Sequence, residues 1–274
     1  GDFRYGIGIN GAYNKNNVTR IANGEQIIHG LTDVLSQATK EMYRAQVGYP
    51  VGYFYGYKTD GIFQNQEQID ALRAQGIGTL ATAQPGDVNF VDLNGDGAIT
   101  DEDKTMIGNP HPDFTGGLNL TFGYKGLDLG ITAIGSFGHQ IAKSYRSFAD
   151  SPLQNYTTEI FERWHGEGTS NTLPRLTSGS HTNNQNISDI YIENGNFVKL
   201  QNVTLGYDVK RLFTKLPFSQ ARFYVTAQNL YTFTNYSGMD PEIGYGSSES
   251  WVSGIDVGFY PQPRTFMFGV NLKF

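Results

Sequence analysis

The stretch that decides the fold is Arg-Thr-Phe-Met-Phe-Gly-Val-Asn-Leu-Lys-Phe, residues 264–274. Alternate positions carry only apolar side chains, at Phe266, Phe268, Val270, Leu272 and Phe274. The positions between them are mostly small or polar, at Thr265, Met267, Gly269, Asn271 and Lys273. Because side chains alternate between the faces of a strand, this pattern predicts an amphipathic strand of about ten residues. That is the length at which a tilted strand crosses a bilayer.

The same alternation recurs along the chain and predicts about seven strands in total. The other six lie near residues 3–13, 51–57, 114–124, 127–137, 197–207 and 221–227. Lys125-Gly126 predicts a tight turn, and a change of phase near Gln201-Asn202 predicts a β-bulge. The chain is also rich in glycine and aromatic residues, with 34 Gly, 17 Tyr and 18 Phe. These features predict an all-β fold, an antiparallel transmembrane β-barrel with aromatic girdles.

The connections between the predicted strands are either short or long. Residues 58–112, 139–196 and 232–263 are the long ones, and counting back from the last strand places all three on the same side. Transmembrane barrels have this asymmetry, with short periplasmic turns and long extracellular loops. Because seven strands are too few to close comfortably, we expect residues 1–274 to supply the C-terminal ~7–8 strands of a larger barrel.

Several function classes are excluded by composition and motif content. The net charge of −6 and the lack of a Lys/Arg cluster give no reason to expect nucleic acid. There is no Cys, GxSxG or HExxH, so the chain is not expected to be an enzyme. A formal GxGxxG at Gly6, Gly8 and Gly11 is followed by turn residues at 14–17, not by the helix that a dinucleotide site needs.

Two features lie inside or beside the first long connection. Asn65 and Gln68 have capping-box spacing, and Gly76 is placed to end the helix that they begin. A row of aromatic residues alternates at 51–57 and includes Tyr53, Tyr55 and Tyr57. Such a row is typical of a girdle or of plain packing, and the other interpretation is a stacking platform for sugar or peptide.

The most specific local motif is Asp-Leu-Asn-Gly-Asp-Gly-Ala-Ile-Thr-Asp-Glu-Asp, residues 92–103. It fits an EF-hand-type loop, whose ligands would be Asp92, Asn94, Asp96, the carbonyl of Ala98, Thr100 through water, and Asp103. The twelfth position is Asp103 where Glu is usual, so Mg²⁺ is an alternative to Ca²⁺. We predict a structural cation that stiffens the loop. The alternative is an Asx-rich turn without metal.

An ordered set of further motifs carries a family resemblance. They are found at 48–57, 59–65, the acidic loop with 107–110, 197–207, 227–230 with 232–234, 240–242, 261–264 and the terminal Phe274. In this order the chain resembles the C-terminal portion of the SusC/RagA family of TonB-dependent outer-membrane transporters.

The resemblance implies a barrel of about 22 strands with an N-terminal plug. It implies residence in the outer membrane of a Bacteroidetes-like bacterium, energy supply through TonB, and import of oligosaccharides or oligopeptides together with a SusD-like surface lipoprotein. The plug and the remaining barrel are expected outside residues 1–274. Phe274 resembles the signal read by the barrel-assembly machinery. The alternative function is a small outer-membrane barrel acting as a Ca²⁺-stabilised binding or adhesin module.

Overall fold

The computed structural model describes residues 2–32, 40–144, 157–177, 183–215, 217–243 and 251–274. One α-helix, α1 (Gln66–Ala74), lies among strands. The strands of the described residues are β1 (Phe3–Tyr13), β2 (Ile27–Thr32), β3 (Lys40–Gln46), β4 (Tyr53–Tyr57), β5 (Thr59–Ile62), β6 (Val88–Phe90), β7 (Lys104–Gly108), β8 (Phe114–Tyr124), β9 (Leu127–Phe137), β10 (Gln140–Lys143), β11 (Ile192–Asn194), β12 (Phe197–Asp208), β13 (Gln220–Thr234), β14 (Ile255–Asp256) and β15 (Thr265–Lys273).

The largest sheet is antiparallel and has the strand order β1-β8-β9-β12-β13-β15. We call this sheet the arc. Its register aligns apolar residues in a row across all six strands, Ile7, Leu120, Ile131, Val203, Ala227 and Phe266. The adjacent row is small or polar, Gly8, Asn119, Thr132, Asn202, Gln228 and Thr265. The arc therefore has an apolar face and a polar face, as its sequence period requires.

The apolar face is not covered by protein in the part of the chain that the structure describes. Phe268 is 82% exposed, Ile9 78% and Tyr5 69%. A continuous apolar surface of this kind would be unfavourable in water, and it suits the hydrocarbon of a bilayer. The transmembrane all-β fold predicted from the sequence is confirmed.

The two ends of the arc differ sharply. At one end, here called the short-turn end, β8 and β9 are joined by Lys125 (φ 46°) and Gly126 (φ 89°), and β12 and β13 by the turn after Asp208. The first of these pairs has the positive φ values of a type I′ hairpin, so the predicted tight turn is confirmed. The other three connections, 14–113, 138–196 and 235–264, all leave from the opposite end.

The arc contains six strands in the described residues, fewer than the seven to eight predicted. The difference is the predicted strand at 51–57, because β4 pairs with β3 and β7 in a separate four-stranded sheet with β2. All five residues of β4 are buried. Its alternation of glycine with aromatic residues therefore reflects burial on both faces and not an amphipathic strand. The first long connection accordingly begins at residue 14 and not at 58.

The described parts of the three long connections pack together into one unit, here called the cap. Besides the four-stranded sheet it contains the pair β5-β6 and the sheet β11-β10-β14. One buried cluster draws on all three connections, with Met42, Tyr43, Phe54, Ile107, Ala142, Ile187, Tyr191, Val252 and Ile255. Residues 33–39, 145–156, 178–182 and 244–250 of these connections lie outside the described residues.

Helix α1 sits in the cap where the sequence predicted a helix. The Asn65 side chain accepts a hydrogen bond from the Gln68 backbone N–H at 2.9 Å, and Ile69 is fully buried. Gly76 follows the helix at φ 75°, the left-handed conformation that ends helices. Among the described residues, no helix is long and apolar enough to cross a membrane.

Candidate functional site

The polar face is the candidate functional surface, because it is the side that a closed barrel would enclose. Its side chains bond to one another along and across the strands. The Thr132 hydroxyl donates to Asn119 Oδ1 at 2.9 Å, and the Thr204 and Thr226 hydroxyls lie 2.8 Å apart. These groups are uncharged and can exchange partners with water or with a polar ligand.

A bidentate ion pair spans three strands of the polar face. Arg222 on β13 donates from Nε to Asp128 Oδ1 at 2.8 Å and from Nη2 to Oδ2 at 2.5 Å, and Asp128 lies on β9. The guanidinium crosses β12 at Gly206, where an added Cβ would come within 2.4 Å of Nη2. Any larger residue at Gly206 would displace the arginine. Glycine on this face therefore lets long polar side chains lie flat against the barrel wall.

The cap is attached to the polar face through a buried lysine. Lys199 of β12 is 3% exposed, and its ammonium group pairs with Asp240 at 3.5 Å and with Glu242. Both carboxylates belong to the third long connection. A cation buried to this extent is tolerated because it has two carboxylate partners. The sequence offered no signal for this junction, since the partners lie 41 and 43 residues away.

A cleft of about 570 Å³ opens beside this junction. It is lined by aromatic rings and by amide, hydroxyl and charged groups, among them Lys199, Asn229, Tyr231, Tyr260, Gln262 and Arg264. Aromatic surfaces combined with convergent polar groups are the chemistry with which proteins hold sugars and peptides. No substrate-contacting residue was predicted from the sequence.

The aromatic row at 51–57 serves packing within the cap. Tyr53, Tyr55 and Tyr57 are all buried, and the Arg44 guanidinium lies 3.3 Å from the centre of the Tyr55 ring. Burial raises the pKa of Tyr53 to about 12 and also raises the pKa of Tyr57. Of the interpretations of this row, packing is therefore correct, and an exposed stacking platform is not what these three rings form.

The predicted metal loop folds as a series of Asx-type turns. Asp92 Oδ2 accepts the backbone N–H groups of Gly78 at 2.8 Å and Gly97 at 2.9 Å, and Oδ1 accepts that of Gly95 at 2.7 Å. These bonds, that from Gly78 first, hold the pKa of Asp92 below its ordinary value. Asn94 and Asp96 cap the turns that follow, each accepting the N–H two residues ahead.

Asp103, the twelfth residue of the loop, uses its carboxylate oxygens to accept backbone hydrogen bonds. Asp103 is fully buried, and its two oxygens accept the N–H groups of Leu93, Asn94 and Thr100. Across the described residues, no three His, Cys, Asp or Glu side chains converge as a metal site would require. The oxygen-rich donor set fits a hard cation, whereas this arrangement of Asp103 holds the loop together through backbone donors. The metal site at Asp92, Asn94, Asp96, Ala98, Thr100 and Asp103 stays a prediction.

The fold and the two unlike faces define a class, the transmembrane β-barrels, of which the arc is a part. A search of solved structures agrees. The RagAB peptide transporter matches with a TM-score of 0.71 at 22% identity, over 99% of this chain and 27% of that one. At this identity the match establishes the fold.

Sequence comparison shows relatives of one kind. It is 32% identical over 280 residues to the TonB-dependent receptor P3 of Formosa agariphila, and 27% identical over 278 residues to the TonB-dependent receptor SusC of Bacteroides thetaiotaomicron. The chain resembles the C-terminal portion of the SusC/RagA-like TonB-dependent receptors, as the ordered motifs predicted. No family model matches the chain.

The matches cover only part of each relative. The alignments cover the whole of this chain but only 27% of the P3 receptor and 25% of SusC, so the chain spans about a quarter of the length of these curated relatives. The relatives are named as receptors and a transporter, which agrees at that level with the expectation that the chain is not an enzyme.

Phe274, the predicted barrel-assembly signal, lies next to the end of β15. Its side chain is 88% exposed, and its ring meets that of Phe218 edge-on with the centroids 5.0 Å apart. Its role as a signal for the barrel-assembly machinery stays a prediction.

Proposed function

We propose that the chain forms part of the wall and outer cap of an outer-membrane receptor that imports nutrient oligomers with energy supplied through TonB. One observation carries the proposal: a six-stranded arc with an uncovered apolar face and a polar inner face, from one end of which three long connections fold into a single cap. The similarity to TonB-dependent receptors supports it, and the name of the RagAB relative makes oligopeptides as well as oligosaccharides candidate cargo.

Completion of the barrel requires further strands. Each edge strand of the arc, β1 and β15, has a neighbour on one side only among the described residues. Unpaired backbone groups at a lipid-exposed edge would each cost several kcal/mol. We therefore infer that additional barrel strands and a plug from the same receptor close the structure, and that a SusD-like lipoprotein and TonB act with it. A small autonomous barrel acting as an adhesin is not favoured, because both edges would be left open.

Import can be tested by narrowing the enclosed space at one point. Gly130 on β9 belongs to the polar face, and a Cβ added there meets no atom within 4 Å. In the full-length receptor, Gly130→Trp should reduce uptake of labelled oligopeptides or oligosaccharides by cells. The matched control is Val225→Trp on the apolar face, which places the same ring in lipid. Uptake that is independent of the receptor or of TonB would contradict the proposal.

The acidic loop has its own proposed role within the cap. We propose that Asp92, Asn94, Asp96, the Ala98 carbonyl, Thr100 and Asp103 hold a Ca²⁺ ion, or Mg²⁺, that stiffens the first long connection. Titration of the full-length receptor with Ca²⁺ should increase amide protection at 92–103, and Asp96→Ala should abolish the increase. Asp70→Ala, on the exposed side of α1, is the control. Protection that is the same with Ca²⁺ and with chelator would favour the metal-free Asx turns.

A further inference from the structure

Charge is divided unevenly between the arc and the cap. The six arc strands with their short turns carry eight Lys and Arg against two Asp and Glu, whereas the three long connections carry twelve against twenty-three. Lys199 is neutralised by the cap. The other seven basic residues of the arc all lie towards the short-turn end, at Arg4, Lys125, Lys210, Arg211, Lys215, Arg222 and Lys273.

Four of these cations, Arg4, Lys125, Arg211 and Arg222, line one cleft of about 380 Å³ at the short-turn end of the polar face. Arg222 is already paired with Asp128. Arg4 of β1, and Arg211, which lies over the β8–β9 turn at Gly126, make no ion pair with any residue that the structure describes. Asp208, the other carboxylate of the cleft, accepts the backbone N–H groups of Lys210 and Ala221 with Oδ1. The cleft therefore offers two uncompensated guanidinium groups.

We propose that Arg4 and Arg211 dock a carboxylate-bearing polypeptide segment that occupies the barrel interior at the short-turn end. The inference rests on the proposed function, since only a closed barrel has an interior. Barrels as wide as those of outer-membrane transporters have their lumen filled by protein. A guanidinium group binds a carboxylate through two parallel hydrogen bonds. This geometry selects for a negative charge and also fixes the orientation of the bound carboxylate.

The charge of the cap favours a fixed segment over an anionic cargo molecule as the occupant. Cargo that enters from the cap side passes three connections that together carry an excess of eleven negative charges by sequence, which disfavours the approach of anions. An acidic segment held permanently inside the barrel does not have to pass the cap. The basic cleft would then hold that segment in place at the end farthest from the cap.

The test uses the full-length receptor in planar lipid bilayers, with ion conductance as the readout. The variant Arg4→Glu/Arg211→Glu reverses the charges of both uncompensated guanidinium groups of the cleft. The control, Lys215→Glu/Lys273→Glu, reverses two charges at the same end that do not line the cleft. Wild type and control should be closed at physiological salt, and the cleft variant should conduct at least about tenfold more. Wild type should also open more in about 1 M salt, because salt screens the ion pairs.

Each outcome decides the proposal. A heat-modifiable gel shift verifies the barrel, and Arg4→Gln/Arg211→Gln is measured in its place if charge reversal prevents assembly. A folded cleft variant as closed as wild type overturns the docking site. Closed channels with a selective loss of anionic cargo uptake also overturn it and assign the cleft to cargo. If the wild-type receptor imports nothing while the conductance difference persists, the docking site stands and the import function fails.

Discussion

At the scale of single residues, buried charges connect segments that are far apart in sequence. Asp87 is fully buried, and its Oδ1 accepts a hydrogen bond from Arg175 Nε at 2.7 Å. The side-chain amides of Asn183 and Asn184 also donate to it, at 3.2 Å and 3.3 Å. One carboxylate in the first long connection thus organises a stretch of the second. Removing such a group takes one acceptor away from several donors at once.

We expect Asp87→Ala to destabilise the cap by about 3 kcal/mol, because it removes the carboxylate that accepts from Arg175 and from both amides in a largely buried site. Hydrogen exchange followed by mass spectrometry should show lost protection at 60–90 and 160–177. The control is Asp60→Ala, an exposed carboxylate of the same connection. Equal effects of the two substitutions would contradict the role of Asp87.

His139 should make the junction of arc and cap sensitive to acid. Its ring is buried against Phe197, and burial lowers its pKa. In the unfolded chain the imidazole of His139 has an ordinary pKa of about 6.5, which is higher than its pKa in the folded protein. Between these two pKa values the unfolded state therefore binds more protons than the folded state. Stability therefore rises with pH through this window, and the contribution of His139 is fully present above it.

Lowering the pH from 7.5 to 5.5 should accordingly reduce amide protection around residues 136–143. In His139→Gln the dependence on pH should shrink, while His165→Gln, which changes an exposed histidine, should leave it intact. A pH dependence that persists unchanged in His139→Gln would exclude this group as the source.

At the scale of elements, the bulge in β12 keeps one strand on register with two neighbours. Pairing with both β9 and β13 shifts between Leu200 and Asn202. The predicted bulge is confirmed. Because of the extra residue, the odd-numbered Val203, Leu205 and Tyr207 lie on the same apolar face as the even-numbered Val198 and Leu200 before the bulge.

Deleting Gln201 should leave assembly of the receptor intact. The deletion removes the extra residue and keeps Leu200 opposite Ala133 and Asn202 opposite Thr132, so each side chain stays on its own face. The comparison is deletion of Leu120 from β8, which has no bulge; there the residues that follow turn over, and Phe122 faces inside. The measurement is the amount of heat-modifiable barrel in isolated membranes. An equal loss of barrel with the two deletions would contradict this account of the bulge.

The arc was predictable because apolar and polar side chains alternate along each of its strands. One face of every strand meets lipid and the other meets the barrel interior, so the same pattern recurs throughout. Local signals also sufficed for α1 with its Asn65 cap, and for the Lys125-Gly126 turn. The cap was not predictable in the same way. β4 shows the same period as an arc strand, and only its burial by chain segments more than a hundred residues away, such as Ile187, reveals its place. The pairs Arg222–Asp128 and Lys199–Asp240 likewise depend on register and folding and not on spacing.

At the scale of the whole molecule, the cap has a shared core and should therefore lose its stability as one unit. Ile255 in β14 is fully buried and contributes to the cluster built from all three long connections. Backbone contacts support the cluster, since Gly52 at φ 67° lies so close to Trp251 that an added Cβ would be 2.4 Å from its carbonyl oxygen.

We expect Ile255→Ala to destabilise the cap by about 2–5 kcal/mol through the cavity that it creates. Protection should fall together at 42–57, 187–192 and 251–256, while the strands of the arc keep theirs. Val257→Ala, a partly exposed position nearby, is the control and should change little. A loss confined to 251–256 would show that the three connections fold independently.

The pairing of β1 with β8 has a consequence for the order in which the chain assembles. Phe3 lies opposite Tyr124, whereas β8 and β9 are joined by two residues. Closing a loop of about a hundred residues costs roughly 3 kcal/mol more in chain entropy than closing a tight turn. The β8–β9 and β12–β13 hairpins should therefore form early. Strand β1 should pair with β8 only after residues 14–113 have crossed to the far side of the membrane. The long first connection would therefore make the joining of β1 to β8 the slowest step in forming the arc, and the further barrel strands could close the wall only after that step.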